Sequence, residues 1–442
     1  LNNDQPTSKS SWYALAILFG INTMNFYDRQ VIGAVGESIR KEWMLSDTQL
    51  GTLGTAFILM YAIVGLPLGR LADKFTRKTI LGYGVAAWSA LTAVSGMVPG
   101  FNWLFASRLG VGIGEASCAP AANSLIGDLF PARRRALALS LFMMGLPIGL
   151  FLSYRISGII SQAYGWREAF YFAAIPGLVL SLLAFTIKEP LRGATELTAH
   201  ATKQRPGWSY LVVLSIPTMG WIIISGLLHN FNAYAVNTFL PSFLMRVHHL
   251  GIKDATNITS IILGAVGIIG MLAGGWLGDY WSRYRKNGKL LLAGIAMAVA
   301  APCLLFALLL PPGEITVFML LMGTGTMLSF TYYANVYASI QEVIEPPLRG
   351  TAMALYFFAM YLLGGSLGPV ITGMLSDHFA KQAMLEAGAT SMTELFKASG
   401  LHTAMYSMPI VAALLSLVLF AASRTVIRDA KKLADWQQSS NH

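Results

Sequence analysis

Four ionisable side chains stand where the sequence is otherwise fit to lie in lipid. Asp28 and Arg29 sit side by side in "WYALAILFGINTMNFYDRQVIGAV"; Arg108 and Glu115 follow in "FNWLFASRLGVGIGEAS". A charge at the centre of a bilayer costs from about 3 to more than 10 kcal/mol, so it persists only beside a partner or a water-filled cavity. Acids and bases held together in that setting can trade protons and hold an anion. That is chemistry for moving a solute with a proton, and it calls for no metal. The two cysteines, Cys118 and Cys303, both fall in apolar stretches, so neither a disulfide framework nor a metal site is expected.

The spacing sets their depths. A helix entering at Trp12 or Tyr13 carries Asp28 roughly 22–24 Å along its axis, in the outer half of a ~30 Å core. A helix entering from the other side at Phe101 places Arg108 about 10 Å down, at a similar level, and Glu115 roughly 10 Å deeper on the same face. The expectation is a charge ladder on facing sides of the first and fourth helices. Asp28 and Arg29 stand opposite Arg108, with Glu115 beneath and Tyr27 beside the acid. Asp28 has two readings: a permanent bond to Arg108 that pins two helices, or a working carboxyl. Arg29 projects about 100° away from it. Glu115 has no base one turn away on its own helix, so it is expected to be poorly paired and to take up and release protons. Asp28 and Glu115 are therefore the proton-coupling candidates. The glycines of "GVGIGEAS" are not a dinucleotide loop, because no strand precedes them; small residues there let helices approach closely.

These side chains need helices to hold them. The 442-residue chain is 55% hydrophobic and only 12% charged, which excludes an ordinary soluble domain. Apolar stretches of membrane-spanning length recur throughout, near 12–35, 47–71, 78–98, 101–128, 135–162, 166–187, 217–245, 255–279, 288–310, 315–342, 349–376 and 400–423. The fold class is all-α, a multi-pass membrane protein with about twelve spans. Basic residues crowd alternate loops ("RLADKFTRK", "FPARRRA", "DYWSRYRKNGK"), which places those loops and both termini in the cytoplasm. The net charge of +10 is thus a membrane signal and not one for nucleic acid. The polar start "LNNDQPTSKSS" has no apolar run of its own, so no cleavable signal is expected. Arg155 lies near the outer end of the fifth helix, either snorkelling to the interface or lining a cavity. The seventh helix offers His229, Asn230, Asn232, Tyr234 and Asn237; the tenth offers Tyr332, Tyr333, Asn335 and Tyr337. Both faces suit an amphipathic ligand, and both equally suit packing.

The two halves of the chain echo each other. Gly69-x-Leu71-x-Asp73-x-x-x-Arg77 returns as Gly275-x-Leu277-x-Asp279-x-x-x-Arg283, and Pro131-x-x-Arg134 returns as Pro346-x-x-Arg349. Two six-helix bundles are expected, 1–187 and 209–442, joined by a cytoplasmic linker over 188–208. The repeated loop resembles the signature of the major facilitator superfamily. Within it, "NFYDRQVIGA", "SRLGVGIGEASCAPA" and "YLLGGSLGPVITGMLSD" resemble the spinster family of lipid-linked transporters, as found in bacteria.

The resemblance implies a secondary transporter that works by alternating access, in the inner membrane of a bacterium. It implies an amphipathic or anionic cargo such as a lysophospholipid or sphingoid phosphate; with no P-loop in the sequence an ion gradient is expected in place of any cofactor, the proton because the buried groups are carboxyls, and a monomer is expected in the bilayer. It also implies a latch, in which Asp73 and Asp279 dock on helix N-termini near an Arg; Gly69, Arg77, Arg283, Arg134 and Arg349 belong to that motif. Arg29, Arg108, Tyr27, His229, Asn230, Asn232, Tyr332, Tyr333 and Asn335 are the candidates for holding cargo. Glycine–proline clusters at Gly145-Leu-Pro147-Ile-Gly149 and at Gly364, Gly365, Gly368, Pro369 and Gly373 resemble the superfamily's bending interfaces. A carrier of small organic anions or drugs is the alternative. An enzyme built on His249-x-x-x-x-Asp254, or a non-transporting receptor, is a remote one.

Overall fold

The computed structural model describes residues 9–190, 209–345 and 348–440, with backbone alone for 66–74, 132, 136, 209 and 436–440. The expected linker lies largely outside the described residues, as do Pro346 and the side chain of Asp73. The described residues are nearly all helical. They run as α1 (Lys9–Trp43), α2 (Asp47–Lys74), α3 (Arg77–Ser95), α4 (Phe101–Glu115), α5 (Cys118–Leu129), α6 (Ala132–Met143), α7 (Gly145–Ala163) and α8 (Trp166–Phe185). There follow α9 (Ser209–Leu214), α10 (Pro217–Arg246), α11 (Ile252–Thr259), α12 (Val266–Ser282), α13 (Gly288–Leu308) and α14 (Ile315–Val343). The chain closes with α15 (Arg349–Ala359), α16 (Leu367–Glu386), α17 (Glu394–Met405) and α18 (Ser407–Ser440). Wider π-type turns join α11 to α12 at Ser260–Ala265 and α15 to α16 at Met360–Gly365.

Each span expected from hydropathy is present, but several are broken, and proline accounts for most of the breaks. A proline lacks the N–H, and its ring clashes with the carbonyl four residues back. Pro120 stands four residues beyond Ala116, the C-cap of α4, and Pro147, Pro369 and Pro409 stand four residues beyond Met143, Gly365 and Met405, where α6, the second π-type turn and α17 end. The span expected over 101–128 is therefore two helices, and Glu115 is the last residue of the first.

Among the described residues, eight helical segments are long and apolar enough on their own to cross a membrane. The helices α1 and α10 are not among them, for a reason their burial makes plain. The first buries Asn22, Asn25, Asp28, Arg29, Gln30, Glu37 and Arg40, and the second buries His229, Asn230, Asn232 and Asn237.

The chain forms two compact units, Leu1–Trp43 with Ala56–His200, and Met44–Thr55 with Ala201–His442. The first residues of α2, Met44–Thr55, group with the second unit. In the first unit α1 packs on α7 and α8, and α3 packs on α4 and α8. In the second, α13 lies against α14 and α18, α12 against α14, and α16 against α17.

Backbones touch at glycines in both units. A Cβ on Gly149 would stand 2.8 Å from Phe26 Cβ and run into the Thr23 carbonyl; one on Gly368 would strike the carbonyl of Phe231. Overpacking of this kind destabilises by about 1–3 kcal/mol. Thermal unfolding followed by size exclusion should show Gly149→Val melting well below the wild type, while Gly220→Ala, with open space around it, melts with it.

Candidate functional site

The first unit gathers the four charges that the sequence singled out, but pairs them differently from the ladder expected. Arg29 Nε donates to Glu115 Oε2 at 3.0 Å, and Asn25 Nδ2 donates to the same oxygen at 3.0 Å. Both partners are buried, with side chains 2% and 0% exposed. Glu115, expected to be poorly paired, has a base after all. It comes from α1, not from its own helix, so spacing along α4 gave no sign of it. Its second oxygen accepts no hydrogen bond among the described residues.

Asp28 and Arg108 do not form the carboxylate–guanidinium bond that the sequence allowed. Arg108 Nη2 donates instead to the Asp28 backbone carbonyl at 3.0 Å. The Asp28 carboxylate is fully buried, and the Trp88 indole and the Thr92 hydroxyl face it from α3 as its donors, without meeting strict hydrogen-bond geometry among the described residues. A carboxylate buried there has no water to solvate it and depends on such polar neighbours. Tyr27 turns away from the acid to meet Ser157 Oγ at 3.2 Å.

Aromatic rings surround the Arg29 guanidinium. Its central carbon lies 4.7 Å from the Phe26 ring centre, 4.8 Å from Phe57 and 4.4 Å from Tyr61. Each such contact stabilises a desolvated cation by about 1–2 kcal/mol. The Phe57 and Tyr61 rings come from α2, which approaches α4 closely because Gly112 leaves room for the Phe57 carbonyl. The glycine cluster of α4 thus does what small residues were expected to do.

The second unit holds an aromatic and amide cluster. His229 stacks on Tyr332, ring centres 4.0 Å apart and planes 9° off parallel, and meets Tyr333 edge-on at 4.8 Å. Tyr332 Oη lies 2.8 Å from Ser225 Oγ and 3.0 Å from Tyr356 Oη. Asn230 donates to the Met360 carbonyl at the π-type turn, Asn232 to Met408 O, and Asn335 to Gly274 O and Thr331 O. These amides tie helices together. Tyr333 and Tyr337, by contrast, are half-buried. Arg155 is exposed on α7, and His249 and Asp254 are exposed around the turn into α11.

The loop motifs show a third arrangement. Arg77, expected in a latch, is clamped within its own unit by Asp128, by Glu189 Oε1 at 2.8 Å, by Ser124 Oγ at 2.9 Å and by Pro190 O at 3.0 Å. Glu189 also accepts the backbone N–H groups of Arg77 and Lys78, so it caps α3 with the negative charge a helix N-terminus favours. Asp279 is 77% exposed and stands 4.0 Å from Lys289. Arg283 and Arg134 are exposed and Arg349 is half-buried, near a pocket of about 520 Å³ that it lines with Lys289 and Glu342. Gly69 and Asp73 fall where side chains are not described. The sequence reading missed Asp128 and Glu189, whose only sign was an acid at each of two helix ends beside a basic loop.

The sequence pattern of the Major Facilitator Superfamily matches residues 18–369. The chain therefore belongs to the major facilitator superfamily of membrane transporters. An MFS-type efflux pump of Mycolicibacterium smegmatis is 28% identical over 382 residues, 85% of this chain and 86% of that protein. Protein spinster homolog 3 of Danio rerio is 30% identical over 393 residues, 85% of this chain and 78% of its own length. A sphingosine-1-phosphate transporter of Danio rerio is 27% identical over 439 residues, covering 95% and 86%. Among solved structures, a bacterial homologue of the human lysosomal transporter spinster, inward-facing and unoccupied, superposes with a TM-score of 0.84 at 27% identity, over 96% of this chain and 99% of that one. Within the superfamily this is a transporter of the spinster type, integral to a membrane and not an enzyme.

The buried pair sets a stability prediction. Removing one partner strands a charge and costs about 3–5 kcal/mol, whereas replacing both can be nearly neutral. Chemical unfolding in detergent should show Glu115→Leu strongly destabilised, and Arg29→Met with Glu115→Leu much closer to the wild type.

Proposed function

We propose that the chain is a proton-coupled secondary transporter that moves an amphipathic lipid with an anionic headgroup by alternating access. The observation that carries the reading is the buried Arg29–Glu115 pair, held in an aromatic cage next to the buried Asp28 carboxylate. A proton on Glu115 cancels the charge that holds Arg29, and the guanidinium is then free to hold an anion. A proton on Asp28 removes a buried charge beside Arg108 in the same way. Loss of either proton restores a carboxylate that competes with the cargo for the same cation. Proton and anion thus occupy one network in a linked order, and no cofactor is needed.

The lipid cargo is supported by the likeness to the sphingosine-1-phosphate transporter and by the half-buried tyrosines of α14, which suit an apolar tail. The likeness to the mycobacterial efflux pump favours a second reading, in which the cargo is a drug-like or small organic anion. Basic residues crowded into alternate loops support cytoplasmic termini, and the reading places the carrier as a monomer in a bacterial inner membrane.

Reconstituted into proteoliposomes with an imposed pH gradient, the wild type should accumulate a lysophospholipid or sphingoid phosphate, and Glu115→Gln should equilibrate it without accumulation. Gradient-driven accumulation by Glu115→Gln would refute the coupling role; transport of organic anions with no lysolipid movement would favour the second reading.

A further inference from the structure

The exposed face of α7 carries a charge that the proton network does not use. The helix turns Pro147, Leu150, Ser153, Tyr154, Ser157 and Gly158 to the interior of the first unit. There Tyr154 Oη donates to Gln30 Oε1 at 3.2 Å, and Ser157 Oγ lies 3.2 Å from Tyr27 Oη. Tyr27 and Gln30 flank Asp28 and Arg29 in α1, so Arg155, between Tyr154 and Ser157, stands at the level of those charges. Its own side chain is exposed, with Ile156 and Ile159 exposed beside it and Phe151 and Leu152 half-buried. Among the described residues its guanidinium makes no ion pair and no hydrogen bond.

Snorkelling does not relieve that charge. Arg155 precedes Ala163, the last residue of α7, by more than two turns, about 12 Å of helix. Tyr164, exposed just past that end, marks the interface, where such rings gather. Cα–Cβ bonds in a helix tilt toward its N-terminus, so the side chain starts out leaning away from this nearer interface. The other end of the span is further still. Arginine keeps its proton, so the charge cannot be shed, and at such a depth it is costly until an anion meets it.

The anion must come from a ligand that also offers apolar surface to the isoleucines. A guanidinium fork takes phosphate oxygens two at a time. A resident phospholipid does not fit, because its phosphate stays at the interface, about 12 Å of helix away. A lipid in transit does, since its headgroup must pass this depth to cross.

We propose that Arg155 binds the phosphate of the cargo lipid on the exposed face of α7, at the level of the buried Arg29–Glu115 pair, with Ile156 and Ile159 against the start of its apolar chain. The inference rests on the lipid reading above and names a residue and the group it recognises.

Binding in a neutral detergent tests it, with lysophosphatidate and monoacylglycerol of equal chain length as charged and uncharged probes. Arg155 gives up no partner within the chain, so its variants should stay folded. Arg155→Gln should bind lysophosphatidate about tenfold or more weakly than the wild type, because a charge-assisted bond is lost. Monoacylglycerol should bind both alike, which a general loosening of the fold would not allow. Arg155→Lys, which keeps the charge but not the fork, should fall between them. Equal lysophosphatidate affinity in the wild type and Arg155→Gln would overturn the inference and leave the lipid reading standing. A loss confined to two-chained phosphatidate would overturn it too, assigning the arginine to a bilayer lipid. A wild type that binds neither probe would refute the lipid reading, and the inference with it.

Discussion

A cation and an anion held inside apolar helices must find each other, because neither has water to turn to. The Arg29–Glu115 pair meets that demand, and much of the first unit is arranged around it. Gly112 brings α2 close enough for Phe57 and Tyr61 to face the guanidinium, and Asn25 adds a donor to the carboxylate. The helix that carries Glu115 ends on it, where Pro120 denies the ladder its next bond and Ser117 Oγ turns back to the Gly114 carbonyl. The polar residues that make this possible are what lower the hydropathy of α1 below that of an ordinary span.

The two units divide the chemistry. The first concentrates buried charge on α1 and α4. The second offers stacked rings and amides on α10 and α14. Its asparagines spend their donors on backbone carbonyls, notably at the π-type turn, where a carbonyl loses its usual helical partner. Such bonds hold helices in register, while the Tyr333 and Tyr337 rings stay half-buried. At the loop ends, Arg77 and Glu189 fasten α3 within its own unit, so a signature expected to act as a latch also has a static part.

Much of this was legible in the sequence. Twelve apolar stretches gave the spans, a doubled loop gave the repeat, and a seven-residue spacing correctly put Arg108 and Glu115 on the face that meets α1. The choice of partners was not legible. Asp28 and Arg29 are adjacent and project about 100° apart, so a small rotation of α1 decides which one meets Glu115. The helix breaks were legible only through prolines four residues downstream, a signal easily overruled by continuous hydropathy. The ion pair of Asp47 with Arg246, 2.8 Å apart in the second unit, was invisible for a different reason. Its members are 199 residues apart, each at a helix end where a charge is ordinarily solvated.

The account stands on the claim that one buried network carries both the proton and the anion. Proteoliposomes holding a trapped pH dye test it directly, by adding cargo in the absence of any imposed gradient. The account predicts that the internal pH changes in step with the cargo moved. Cargo that crosses the membrane with no change in internal pH would contradict it.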